Sequence, residues 1–209
     1  MATDDKRIRD ICSNYILVIS PLVLQYEVLV NTFPTEVLNE IRAVFTHFAK
    51  YTLSDDPTIK AKNLTKAEGH IKRSILDCYK YLCMTYEDVY TDFGKSYENI
   101  DLSFVDNGEF LPKLLEARKK AFALLIEARK SDLTIDSDNE VKTDEAYEKY
   151  GKAFDAYSEV YSLITNSYTK LENLKRKVVT KINKDKIFGI AGLVVGILGI
   201  IIGIILKFF

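Results

Sequence analysis

Apolar residues recur every three or four positions along most of the chain, and that spacing predicts helices almost throughout. Residues 4–30, DDKRIRDICSNYILVISPLVLQYEVLV, form a first helical segment with Pro21 as its kink or break. Proline removes a hydrogen-bond donor, and its ring crowds the carbonyl four residues back. A second helix begins at Pro34, after Thr32 or Phe33, and carries Val37, Leu38, Ile41, Val44, Phe45 and Phe48 on one face. LSDDPTIK is a turn. A third, longer helix covers about 59–93, with Leu64, Ala67, Ile71, Ile75, Cys78, Leu82 and Val89 on its apolar side. DNGE at 106–109 breaks the chain again. A fourth helix covers about 110–131, with Leu111, Leu114, Leu115, Phe122, Leu125 and Ile126 making its apolar face. SDLTIDSDNEVKTDE then reads as a solvated acidic loop. Asp136, Asp138 and Glu140 alternate as calcium ligands do, but Val141 stands where that loop needs glycine and Tyr147 where it needs glutamate.

From about Asp144 the period returns. Tyr147, Tyr150, Phe154, Tyr157, Tyr161, Ile164, Tyr168 and Leu171 alternate steps of three and four, a heptad seam. Ala153, Ala156, Val160 and Leu163 widen it beyond two positions, which suits packing into the chain's own bundle better than a free coiled coil. The same count continues through Lys175, Val178, Ile182 and Asp185. It then meets Gly189, Gly192, Gly196, Gly199, Gly203 and Leu206. A straight helix drifts off such a seam by about 20° per heptad, so one continuous face implies supercoiling.

These glycines lie in residues 187–206, a stretch without one charged or polar side chain. As a helix it spans roughly 30 Å, the thickness of a bilayer's hydrocarbon core. A soluble helix of that length shows a polar face, and this one has none. Lys170, Lys175, Arg176, Lys177, Lys181, Lys184 and Lys186 precede the span and only Lys207 follows it. Basic flanks stay cytoplasmic, so the expected arrangement is single-pass and tail-anchored with the N-terminal domain in the cytoplasm. Lys175, Arg176, Lys177, Lys181, Lys184 and Lys186 are the expected lipid contacts at the membrane surface. In lipid, helices associate by close backbone approach, which small residues allow. The strip of Gly189, Gly192, Gly196, Gly199 and Gly203 therefore predicts a homo-oligomer.

The remaining chemistry is sparse. Positive and negative side chains number 29 and 30, so no basic field for nucleic acid exists. Three cysteines, Cys12, Cys78 and Cys83, match no zinc spacing and read as reduced, buried thiols in a cytosolic compartment. His47 and His70 stand alone, with no metal motif, catalytic signature or phosphate loop, so neither metal, cofactor nor enzymatic activity is expected. Lys66, His70, Arg73, Asp77 and Lys80 step along one helix face and form the candidate ligand-binding set, with Arg73 as a forked anion donor and Arg73–Asp77 as an internal pair. Gly69 inside this helix suggests close packing against another helix.

The expected fold is all-α. A cytosolic antiparallel bundle fills 1–143, a heptad-patterned helix and basic segment fill 144–186, and one transmembrane helix fills 187–206. The order of parts is similar to syntaxin-like SNAREs, but residues 144–171 show no central polar layer. The absence of tryptophan removes the Asn-Trp-Gly-Arg motif of Bcl-2-like proteins. No family is assigned. The functional expectation is a membrane-disrupting or pore-forming effector, of the toxin or antiviral-defence type, controlled by its cytosolic domain and a protein partner. The alternative is a passive anchored adaptor or tether.

Overall fold

The computed structural model describes residues 2–132, 140–181, 184, 187, 188 and 193. Every element among them is helical. α1 (Ala2–Asn14) passes through a π-helical turn (Tyr15–Ile19) into α2 (Ser20–Val30). α3 is Thr35–Leu53 and α4 is Pro57–Ser96. A 3-10 segment (Leu102–Gly108) leads into α5 (Phe110–Asp132). α6 is Glu140–Asn166, and after Ser167 a further helix, α7, covers 168–181.

Local chemistry explains the boundaries. Pro21 does not break the first segment. The turn before it widens, so that the Ser20 N–H bonds the Tyr15 carbonyl five residues back, and the helix runs on. Asn31, left-handed at φ 58°, ends α2. The Asp56 side chain caps α4, accepting from Thr58 N–H at 2.7 Å and Ile59 N–H at 3.4 Å, with Pro57 in the first turn. Asp106, Asn107 and Gly108 (φ 50°, 56° and 90°) turn the chain into α5; this is the break expected at DNGE.

α4 has 40 residues, about 60 Å of helix; α1–α2, α3 and α6 pack along it, while α5 lies chiefly against α6 and reaches α4 through side chains. Cross-helix contacts fix the directions. α1–α2 runs parallel to α4, since Arg7 meets Glu68 and Tyr26 meets Tyr81. α3 runs antiparallel, from Glu36 beside Tyr81 to His47 beside Asn63. α5 runs antiparallel, since Phe110 meets Phe93 and Arg118 meets Glu87. α6 and α7 run parallel, from Asp144 at Lys72 to Glu172 at Tyr97. α4 is therefore the shared spine of two three-helix halves. α1–α2 and α3 cover its first half; α5 and α6 cover its second.

The second half is the better filled. Leu82, Cys83, Tyr86 and Phe93 of α4 are buried with Leu114 and Leu125 of α5 and Tyr157, Val160 and Ile164 of α6. Buried Ala117, Ala121 and Ala128 of α5 and Ala146, Ala153 and Ala156 of α6 let those two helices approach closely. The tyrosine seam of α6 packs on α4. Tyr79 stacks on Phe154 (4.9 Å between centroids) and Tyr86 on Tyr161 (4.8 Å), rings seven residues apart on both parallel helices. The buried line passes through Val160, Ile164, Ser167 and Leu171, while Tyr168 is exposed. The first half is leaner: Leu38 and Phe45 of α3, expected inside, lie in solvent.

Candidate functional surfaces

Polar side chains on α3 and α4 meet in a half-buried seam. α3 supplies Glu36, Glu40 and His47, spaced so that they share one side. α4 supplies Asn63, His70, Arg73, Asp77 and Tyr81. Asn63 Nδ2 donates to the Ile59 carbonyl at 2.9 Å, so its Oδ1 accepts from His47 Nδ1, also at 2.9 Å. The His47 and His70 rings stack at 5.1 Å. Glu40 is the hub. Its Oε2 lies 2.7 Å from His70 Nδ1 and 3.0 Å from Arg73 Nε, and Arg73 Nη2 lies 2.7 Å from the same His70 nitrogen. One ring nitrogen cannot accept from Arg73 and donate to Glu40 together, so these two contacts alternate with the imidazole's proton. Tyr81 donates to Glu36. Burial raises the Asp77 carboxyl to about 6, with Lys80 and Arg73 opposing and Glu40 and Glu36 reinforcing.

The candidate ligand set therefore divides. His70, Arg73 and Asp77 join the seam. Lys66 is exposed, and Lys80 lies over the Tyr150 ring at 4.9 Å. Arg73 is turned to Glu40 of another helix. Gly69 marks no close approach, because a Cβ there meets the Arg73 guanidinium at an ordinary 3.5 Å. Glu36, Glu40 and Asn63 escaped the reading of the chain, and His47, expected to stand alone with His70, meets Asn63 and the His70 ring instead. The available signal was the polar stripe 36, 40, 47 on α3, which matters only once α3 is laid against α4.

A second polar knot sits in the other half. Arg118 Nη2 donates to Glu87 Oε1 at 2.6 Å, and Tyr157 OH to Glu87 Oε2 at 2.9 Å. The guanidinium also lies over Phe122 (4.5 Å) and Tyr90 (5.2 Å). The Cys78 and Cys83 thiols are buried and pushed up to about 12, so neither is a thiolate at neutral pH. No group of three metal-ligating side chains occurs among the described residues.

One uncovered feature is almost wholly apolar. α1 and α3 both pack on α4 but hardly touch each other. Between them runs a groove of about 390 Å³, walled by Ile11, Tyr15, Ile16, Ile41, Phe45 and Phe48 and floored by Ile71. Asp4–Val30 is 27 residues long and, by length and composition, apolar enough to cross a membrane.

At the other end of the molecule, α7 carries the basic residues. Lys175 lies over the Tyr97 ring at 5.1 Å, and Tyr97 OH donates to Glu172 Oε1 at 2.6 Å. Arg176, Lys177, Lys181 and Lys184 are exposed. Lys186 and the glycine strip Gly189, Gly192, Gly196, Gly199 and Gly203 lie outside the described residues. No protein-family model, curated protein or solved structure matches the chain.

Proposed function

We propose that the protein is a tail-anchored effector. In this reading residues 187–206 cross the bilayer, their glycine strip assembles copies, and the cytosolic helical body controls what the assembly does to the membrane. One observation carries the reading. Twenty successive residues lack any charged or polar side chain, and all five of their glycines keep one helical phase. Lipid offers apolar side chains no reason to associate, so a flat glycine strip on a bulky cylinder serves close helix–helix approach. Support also comes from α7, whose exposed Arg176, Lys177 and Lys181 lead toward this segment as a cytoplasmic flank does. Opening or disrupting the bilayer is the activity that suits this economy of parts.

The test is the oligomeric state of the full chain in nanodiscs, beside a form with Gly192, Gly196, Gly199 and Gly203 replaced by leucine. A defined native oligomer, a leucine monomer, and dye leakage from vesicles by the native form alone support the proposal. Two monomers overturn it and leave the span as an anchor for an adaptor or tether.

A further inference from the structure

The helix α1–α2 is apolar on both sides. Ile11, Ile19, Leu22 and Val23 are buried on the α4 side. Ile16, Leu17, Leu24 and Val28 point away from the core, with Leu17 70% and Val28 76% exposed. From Ile11 to Val30 the only charged residue is Glu27. A helix apolar all round belongs either inside a protein or in lipid. Only 11% of the most apolar stretch is fully buried, so the body of the protein covers one side of it and leaves the other outward. α3 does not close over that side. The groove between the two helices is open, and Phe45 on its lip is 76% exposed.

We propose that this flank, the outer side of α1–α2 with the groove lips Ile16 and Phe45, seats in the apolar boundary of a lipid bilayer as a second membrane contact. The occupant follows from two features. First, α1–α2 has the length and composition of a lipid-compatible helix, with every charge but Glu27 gathered at one end in Asp4, Asp5, Lys6, Arg7, Arg9 and Asp10. Second, no charge lies between Ile11 and Tyr26 to set a register against another protein surface, which specific protein interfaces use. Docking needs no unfolding, because the side chains concerned are already outward. The inference rests on the tail reading in one respect: the anchor brings this flank to a bilayer.

The test uses the full chain in vesicles of phosphatidylcholine and phosphatidylglycerol. Exposed Cys12 is replaced by serine, while the inert buried Cys78 and Cys83 stay. A polarity-sensitive fluorophore goes on a cysteine introduced at Leu17, at Leu24 or, as a control on α5, at Glu116. Spin-labelled lipids are expected to quench Leu17 and Leu24 about twofold and leave Glu116 unchanged, since such faces sit roughly 5–10 Å into the boundary. The variants Leu24→Lys and Val28→Lys, both at exposed positions, are expected to keep the helical circular dichroism and lose quenching at Leu17. Vesicle flotation without quenching overturns this inference and spares the tail reading. Failure to float overturns the tail reading first. Fluorophore shielding that grows with protein density but resists lipid quenchers overturns the inference in favour of a second copy on this flank.

Discussion

Asp77 is a carboxyl whose burial moves it well away from its ordinary chemistry. Its carboxyl, raised from 3.8 to about 6, is favoured in the neutral form by the fold. Its stabilising contribution is therefore complete below pH 4 and is lost as pH rises through 6. Asp77→Asn is expected to raise stability at pH 7.5 by roughly 1–2 kcal/mol, after allowance for screening at a half-exposed site, and to change it little at pH 4. Denaturant melts of both forms at the two pH values measure this. A variant equally or less stable at pH 7.5 removes the burial argument. Glu40→Ala leaves Arg73 and His70 without their shared acceptor and is expected to cost about 1–3 kcal/mol by the same melts. The stripe of His70, Arg73 and Asp77 was visible in the chain; Glu40 was not, because a partner 33 positions from Arg73 has no periodic relation to it.

At the scale of the helix, the legible parts were those with a local cause. The α4 boundaries follow from Asp56, Pro57 and its unbroken apolar period, and the α5 start from three left-handed residues in a row. The alanine seam of α5 and α6 was only half legible. Alanine contributes little to a hydrophobic pattern, so Ala117, Ala121 and Ala128 look neutral until a second helix lies against them. Ala121→Leu is expected to cost about 1–3 kcal/mol by overpacking that seam, and unchanged melting would show slack between the helices. Gly69 and Gly94 point the other way. Neither site is crowded, with nothing within 4 Å of an added Cβ at Gly94. Gly69→Ala and Gly94→Ala are each expected to add roughly 0.5–1 kcal/mol by restricting the unfolded chain and favouring the helix. Destabilisation of either would mean a contact the helix face does not display.

Across the whole molecule, the two halves hung on α4 differ in how they are held. The α5–α6 half is bound by interlocked rings, close alanine packing and the Glu87–Arg118–Tyr157 knot. The α1–α3 half relies on fewer buried side chains, with only Val37 and Val44 fully inside from α3. Charge compensates at the start of α1. Arg7 forks onto both oxygens of Glu68 at 2.6 Å and reaches Thr65 at 2.8 Å, while Tyr51 reaches Asp4 at 3.4 Å. Local opening follows the density of buried contact, so backbone amides of α1, α2 and α3 are expected to exchange with deuterium sooner than those of α5 and α6. Arg7→Ala removes the fork at a half-exposed site and is expected to speed exchange through α1 and α2 severalfold while leaving α6 alone. Exchange measured by mass spectrometry on the full chain separates this from a single cooperative unit, in which both halves would open together and the variant would shift them equally. The uncovered apolar flank belongs to the half that opens first, so the membrane contact proposed for it engages the more yielding half of the protein.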